Sequence, residues 1–146
     1  LDRFFYPLNE ETNFKINQIF RKLTKNKKQS LKNLEIKGRF FIIKNYFEKI
    51  ARFDFDYLCN QNIGAEDYIK IAEACNFIVI ENIPKFNDKN INKQQRFITL
   101  IDILYEKKIS LMTSSYTDIK NLGSSRALIG PFKRTLSRLY ELTSIN

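Results

Sequence analysis

Gln94-Gln95-Arg96-Phe97-Ile98-Thr99-Leu100-Ile101-Asp102-Ile103-Leu104-Tyr105-Glu106 lies between two short apolar runs, Phe77 to Ile83 before it and Ile109 to Thr113 after it. The flanks have strand length and the middle has helix length, so the order reads strand, helix, strand. A crossover of this length lets the second strand return parallel to the first, and such crossovers pack right-handed on their sheet. Phe77-Ile78-Val79-Ile80 is almost continuously apolar, as expected of a parallel strand covered on both faces. Lys107 and Lys108 match the negative end of the helix. The fold class is therefore α/β, with a parallel βαβ unit at its centre and helices packed around it.

Working outward, Ser114 to Ser125 is polar and reads as a loop. Gly130-Pro131 marks a helix start, with Phe132, Leu136, Leu139 and Tyr140 as its apolar stripe. On the other side, Gly64-Ala65-Glu66-Asp67 opens a helix whose acids suit its N-terminal dipole, and Tyr68, Ile71, Ala72 and Cys75 form the buried stripe. Further upstream, Leu34, Ile36, Gly38, Phe40 and Ile42 share one face of a period-2 pattern, and Ala51, Phe53 and Phe55 alternate likewise. The pattern predicts strands over 33–44 and 49–55 with a turn near Asn45, then a helical turn over 56–60. Phe41 and Ile43 give the first strand a second apolar face. Asn9-Glu10-Glu11 caps a helix over 10–24 with the stripe Ile16, Ile19, Phe20 and Leu23, and a polar connector follows to Lys32. The expected organisation is one unit, 1–146, made of a helix and connector (1–32), an N-terminal β-hairpin section (33–60) and an α/β section (61–146).

Apolar residues make up 43% of the 146, enough for a core. No stretch approaches the roughly 18 apolar residues of a membrane-spanning helix. Leu1-Asp2-Arg3-Phe4-Phe5-Tyr6 is not a signal peptide, and position 1 is not Met, so the chain is expected to begin inside a longer reading frame. Cys59 and Cys75 have no metal-ligand spacing and there is no histidine, which argues against a zinc site. Cys75 reads as an inert core thiol, and both cysteines suit a reducing compartment. The net charge of +9 has two readings. One is an affinity for nucleic acid or an anionic membrane surface. The other is base composition, because Lys, Asn and Ile are abundant together. The densest basic patch, Lys22, Lys25, Lys27, Lys28 and Lys32, reads as a solvated connector.

The chain lacks a Gly-x-x-x-x-Gly-Lys-Ser/Thr loop, whose glycines let backbone N–H groups face phosphates while the Lys reaches the terminal ones. Without histidine, and with no Ser or Cys beside an evident base, a nucleophilic triad has little support. We assign no catalytic residue and no metal ligand in this chain. The functional candidates are arginines. Arg134 and Arg138 stand four apart on one helix face, opposite the apolar stripe, and present planar forks that fit phosphate oxygens. The alternative is a solvated basic face in which Glu141 partly neutralises Arg138. Arg96, near the start of the central helix, is a candidate for a domain or subunit contact, or a surface arginine. Asp102 follows a strongly apolar stretch and reads as partly buried and hydrogen-bonded, or as helix surface. Glu81-Asn82 ends a strand where α/β sheets often bind ligands, but Asn82 halves the charge of an acidic pair, so no metal is assigned there.

Several segments, in order, resemble one family. Phe53-Asp54-Phe55-Asp56-Tyr57-Leu58-Cys59 is similar to F-x-F-x-x-L-C, and Gly64-Ala65-Glu66-Asp67-Tyr68-Ile69 to G-A-x-D-Y-L. Ile80-Glu81-Asn82-Ile83-Pro84 resembles a strand ending in V/I-P. Arg96 to Glu106 resembles R-F-I-T-L-I-D-x-L-Y-E, and Arg134-Thr135-Leu136-Ser137-Arg138-Leu139-Tyr140-Glu141 resembles R-T-x-S-R-L-x-E. Together the segments resemble the C-terminal portion of the ZapE-type AAA+ ATPases, a family associated with the bacterial division ring and found also in mitochondria. Gln95 stands where the family usually has an arginine, Asn62-Ile63 where Pro-Leu is common, and Leu142-Thr143-Ser144 where Met-Gln-Ser is usual. The resemblance implies a P-loop NTPase-related fold and an ATP-driven parent whose Walker A and Walker B segments precede residue 1. ATP and Mg2+ would be the parent's cofactors, with none for this chain alone. Arg134, Arg138 and Arg96 would sense nucleotide or contact a neighbouring subunit. The implied partners are the N-terminal ATPase portion of the same protein, further copies in a homo-oligomer and a division-ring protein, with nucleic acid disfavoured. The implied location is cytoplasmic, peripheral at the inner-membrane division site, or alternatively the mitochondrial matrix. The residues by themselves leave two other classes open: a protein- or membrane-surface-docking module without nucleotide, and a basic nucleic-acid-binding domain.

Overall fold

The computed structural model describes residues 2–145, and in it the central pattern is a single parallel crossover. Strand β1 (Phe4–Phe5) and helix α1 (Glu10–Leu23) come first, then strands β2 (Gln29–Ile36), β3 (Arg39–Phe47) and β4 (Ile50–Asp54). Helices α2 (Phe55–Cys59) and α3 (Ala65–Ala74) lead to strand β5 (Phe77–Ile83). Helix α4 (Ile91–Glu106), strand β6 (Ser110–Ser115) and helix α5 (Ile129–Leu142) complete the order. One six-stranded sheet runs β1-β6-β5-β4-β3-β2. Strands β5 and β6 are adjacent and parallel, with Phe77 opposite Ser110 and Ile80 opposite Thr113, as the two apolar runs predict. The pairs β4–β5 and β1–β6 are also parallel, whereas β2–β3 and β3–β4 are antiparallel.

Alternation along the strands feeds two cores. Ala51, Phe53, Ile78, Ile80 and Leu111 face the larger one, closed by Tyr68 and Ile71 of α3, Phe97 and Leu104 of α4, and Phe132 and Leu139 of α5. Their neighbours Ile50, Val79 and Met112 face the other way and are sealed by Ile16 and Phe20 of α1. Asn9 caps α1 by accepting the Thr12 N–H at 2.9 Å. The central strands are thus covered on both faces, which is why β5 lacks polar alternation until Glu81.

The upstream region differs from the sequence reading. The segment 33–44 is not one strand, because Lys37 and Gly38 both take left-handed conformations and turn the chain back on itself. Ile36 then pairs with Arg39, so odd residues of β3 share a face with even residues of β2. Leu34, Ile36, Phe41 and Ile43 are buried together, whereas Phe40 and Ile42 point outward. The expected turn near Asn45 is an irregularity in the pairing, with Ser30 opposite Tyr46 but Lys32 opposite Ile43. The real turn is Glu48-Lys49, again left-handed. The section over 33–60 is therefore part of a meander that joins the parallel sheet through β4, and the polar connector ends at Lys28 rather than Lys32.

The C-terminal segment carries two smaller corrections. The loop after β6 contains 3-10 turns at Ile119–Asn121 and Arg126–Leu128. In α5, Thr135 and Leu142 complete the buried face with Phe132 and Leu139, and Tyr140 is exposed. Tyr140 sits one residue, about 100°, around the helix from Leu139, beyond the edge of the buried arc. Four phenylalanines, Phe55, Phe86, Phe97 and Phe132, lock α2, α4 and α5 together, with ring centroids between 5.3 and 5.9 Å apart. The loop reaches this cluster at Gly123, which bridges to Phe86. A Cβ on Gly123 would stand 2.6 Å from the Phe86 carbonyl oxygen, and its φ of +75° suits glycine alone.

Candidate functional site: the arginine-bearing face of α4 and α5

Asp102 on α4 is the hub of this face. Its Oδ1 accepts from Arg138 Nη1 at 2.6 Å, and its Oδ2 lies 3.8 Å from Arg134 Nη2. The spacing of four brings both arginines to the same carboxylate, but on unequal terms. The Arg138 side chain is 21% exposed and stacks 4.7 Å from the centre of the Tyr105 ring. Arg134 is 64% exposed and holds only the longer contact. A 2.6 Å charge-assisted bond with ring stacking immobilises Arg138, whereas Arg134 keeps its fork available to solvent. Glu141 does not pair with Arg138, as the solvated-face alternative would have it; it accepts from the Tyr105 hydroxyl at 2.9 Å. That hydrogen bond to a carboxylate pushes the Tyr105 hydroxyl above its ordinary range.

Arg96 belongs elsewhere. It is half-buried and donates from Nη1 to the Cys59 carbonyl, 3.4 Å away, at the end of α2. Six positions along α4 place it about 120° around the helix from Asp102. The structure brings Arg134 and Arg138 together and leaves Arg96 apart. Gln95, where the resemblance expects an arginine, is exposed on α4. Two cavities border α5, of about 570 Å³ and about 530 Å³, and both include Tyr140 and Glu141 but neither Arg134 nor Arg138.

The carboxyl end of the sheet is occupied by internal contacts. Glu81 is held by Arg52 through bonds of 2.6 and 2.9 Å, and Arg52 also donates to Asn17 at 2.7 Å and lies over the Phe20 ring. Asn82, left-handed at φ 68°, donates to Asp54 at 2.6 Å while its own N–H bonds Ser114 Oγ at 2.9 Å. Asp67, expected as a dipole acid, is buried. It takes a two-pronged pair from Arg39 and the Gly64 N–H at 2.9 Å. Burial alone would raise its carboxyl, but the Arg39 and Gly64 hydrogen bonds outweigh it and hold the group below the usual carboxylate range. Cys59 and Cys75 are buried free thiols, each pushed up to about 12 by burial.

Gln94, with no exposed surface, was not singled out by the sequence reading. It donates to Ser124 Oγ at 2.7 Å and accepts from the Ser125 N–H at 2.9 Å, tying the loop before α5 to α4. A polar residue opening an apolar stripe was the signal available for it. Its partners lie 30 and 31 residues away, beyond any spacing rule.

The model of the AFG1-like ATPase family matches residues 2–146. This chain belongs to that family. Escherichia coli "Cell division protein ZapE" is 25% identical over 138 residues, covering 94% of this chain and 37% of that protein. Danio rerio "Lactation elevated protein 1 homolog B" is 29% identical over 109 residues, covering 75% of this chain and 22% of its own length. An uncharacterised Schizosaccharomyces pombe protein is 30% identical over 89 residues. The chain spans 20–37% of the length of these relatives. No solved structure matches it. The mixed α/β sheet with its parallel βαβ unit is consistent with a P-loop NTPase-related fold. Among the described residues no helix is long and apolar enough to cross a membrane.

Proposed function

We propose that this chain is the C-terminal portion of an ATP-hydrolysing AAA+ protein and supplies an arginine to a nucleotide held elsewhere in the parent assembly. The residues present do not make a phosphate cradle themselves. Of the four glycines, Gly38 sits in a hairpin turn, Gly64 caps α3, Gly123 is packed on Phe86 and Gly130 lies inside α5. ATP and Mg2+ would therefore be gripped by Walker segments outside these residues, and the chain alone would not hydrolyse ATP. The observation that carries the reading is the asymmetry at Asp102. Arg138 and Asp102 form a fixed platform, and Arg134 beside them keeps an exposed fork suited to phosphate oxygens. Arg134 would act in the same subunit or in a neighbour within a homo-oligomer. Arg96, bonded at the end of α2, fits a domain-contact role.

The ZapE relative is named for cell division, so a division-ring protein is the partner class we propose for the parent, acting in the cytoplasm at the division site. The mitochondrial matrix is the alternative carried by the family resemblance. The test uses the complete protein. Arg134→Ala should lower ATP turnover by about 10³-fold if the group acts as an arginine finger, with melting within about 0.5 kcal/mol of the parent. Normal turnover in Arg134→Ala would rule the role out. Steady-state hydrolysis by the 146-residue chain, above a contaminant control, would overturn the division of labour.

A further inference from the structure

The positive charge of this chain is concentrated. Residues 25–49 carry eight basic and two acidic side chains, a net of +6, against +9 for the whole chain and +3 for the other 121 residues. Base composition alone would spread the excess along the sequence. This stretch is the end of the connector and the edge hairpin β2–β3. Within it, Lys37 pairs with Glu66 and Arg39 with Asp67. Lys25, Lys27, Lys28, Lys32, Lys44 and Lys49 make no ion pair among the described residues.

The same hairpin has an unpartnered apolar face. Leu34 opposite Phe41 and Ile36 opposite Arg39 point to the larger core side. The alternating pairs, Asn33 opposite Ile42 and Glu35 opposite Phe40, point the other way, and Leu31 shares their side of β2. Helix α1 covers that side of the sheet only farther in, at Ile50, Val79 and Met112. Leu31, Phe40 and Ile42 are consequently 71%, 62% and 41% exposed.

We propose that this hairpin face docks on an anionic lipid bilayer, with Leu31, Phe40 and Ile42 entering the headgroup boundary and Lys25, Lys27, Lys28 and Lys49 reaching lipid phosphates, while Lys32 and Lys44 lie over the Tyr46 and Tyr57 rings on the opposite side. Charge complementarity selects an anionic partner, and the side-chain types select a bilayer. Leu31 and Ile42 have no π-face on which bases stack, so only Phe40 would serve a nucleic acid. All six unpaired cations of this stretch are lysines, and the four that lie over no ring, Lys25, Lys27, Lys28 and Lys49, are point charges on long stems that can reach a headgroup layer while the stems stay apolar. Glu35, opposite Phe40, is the acid on this face and sets a limit on how deep the turn end settles.

The chain contains no tryptophan, so Phe40→Trp creates a single fluorescent reporter on the face in question. The first probes are vesicles of phosphatidylcholine alone and of phosphatidylcholine mixed with phosphatidylglycerol. Emission should shift to the blue with the anionic vesicles only, and added salt should reverse the shift. Unmodified protein should co-sediment with the same vesicles, which keeps the test independent of the reporter. Replacing Lys25, Lys27 and Lys28 with Gln should weaken vesicle partition roughly fivefold per lysine, about a hundredfold in all. Leu31→Ser with Ile42→Ser should weaken it at least about tenfold with unchanged melting, since both side chains are exposed. Absence of an anion-dependent shift and of co-sedimentation would overturn the proposal, and so would undiminished binding by the lysine variant. Tighter binding to single-stranded oligonucleotide than to the anionic vesicles, with quenching in place of a blue shift, would also overturn it and assign the face to nucleic acid.

Discussion

Gly123→Ala should be among the most damaging small substitutions in this protein, although it adds one methyl group. An L-residue in the left-handed region costs roughly 1–2 kcal/mol, and Gly123 sits there at φ +75°. The new Cβ would also meet the Phe86 carbonyl oxygen at 2.6 Å, where ordinary contact begins at 3.4 Å. The obstacle is backbone, so no side-chain rotation relieves it. Moving the strands apart stretches the bond from the Phe86 N–H to the Leu122 carbonyl, now 2.7 Å, worth about 1 kcal/mol. It also shifts Phe86 within the phenylalanine cluster that joins α2, α4 and α5. The total is about 3 kcal/mol, and at roughly 2–4 °C per kcal/mol for a chain of this size the melting temperature should fall by about 6–12 °C. Gly130→Ala is the control. Gly130 lies in the first turn of α5 with nothing within 4 Å of its would-be Cβ, so alanine there should be tolerated or stabilise by up to about 1 kcal/mol. Thermal melting by circular dichroism reads both. Equal melting temperatures for the two variants, or a Gly123→Ala protein within about 1 °C of the parent, would refute the close-approach reasoning.

Two further outcomes follow from the ion pairs. Asp67 has its carboxyl held below the usual range, so its stabilising contribution is complete above that range and disappears as pH falls through the folded value; the melting-temperature gap between the protein and Asp67→Asn should therefore be widest near neutral pH and close on acidification, and a gap independent of pH would contradict it. In double-mutant cycles with Asp102→Ala, Arg138→Ala should show a coupling of about 1 kcal/mol and Arg134→Ala close to none; equal couplings would mean that the 2.6 Å and 3.8 Å contacts do not differ in solution.

The parallel unit was legible because its pattern is local. β5, α4 and β6 each carry their own period, and α1 and α3 announce themselves with caps and stripes within a dozen residues. The hairpin failed for an equally local reason. Gly38 was counted as a strand position in a period-2 run, while the structure uses it, with the left-handed Lys37, as a two-residue turn. A two-residue turn preserves the visual alternation of the sequence but exchanges the parity that faces the core, so Phe40 and Ile42 were assigned to the wrong side. The second irregularity, between Ser30 and Lys32, exchanges parity again before Tyr46, and a bulge leaves no residue-type signature that distinguishes it from a turn.

At the candidate site the sequence placed Arg134 and Arg138 on one face but made them equivalent, and what separates them comes from 36 residues upstream. Asp102 is reached by Arg138 directly and by Arg134 only at the margin of a salt bridge, while Tyr105, one turn along α4, gives its ring to Arg138 and its hydroxyl to Glu141. The same logic applies at the sheet's carboxyl end. Glu81 looks available in the sequence, yet Arg52 on the adjacent strand takes both its oxygens. Charges that the fold pairs internally are poor candidates for ligands, because freeing them costs the interaction already made. The charged groups left exposed and only loosely held are therefore the informative ones. By that criterion Arg134, 64% exposed and held only by a 3.8 Å contact to Asp102, is a better candidate for the phosphate-facing role proposed above than Arg138 or Glu81, whose charged groups are bonded at 2.6 Å.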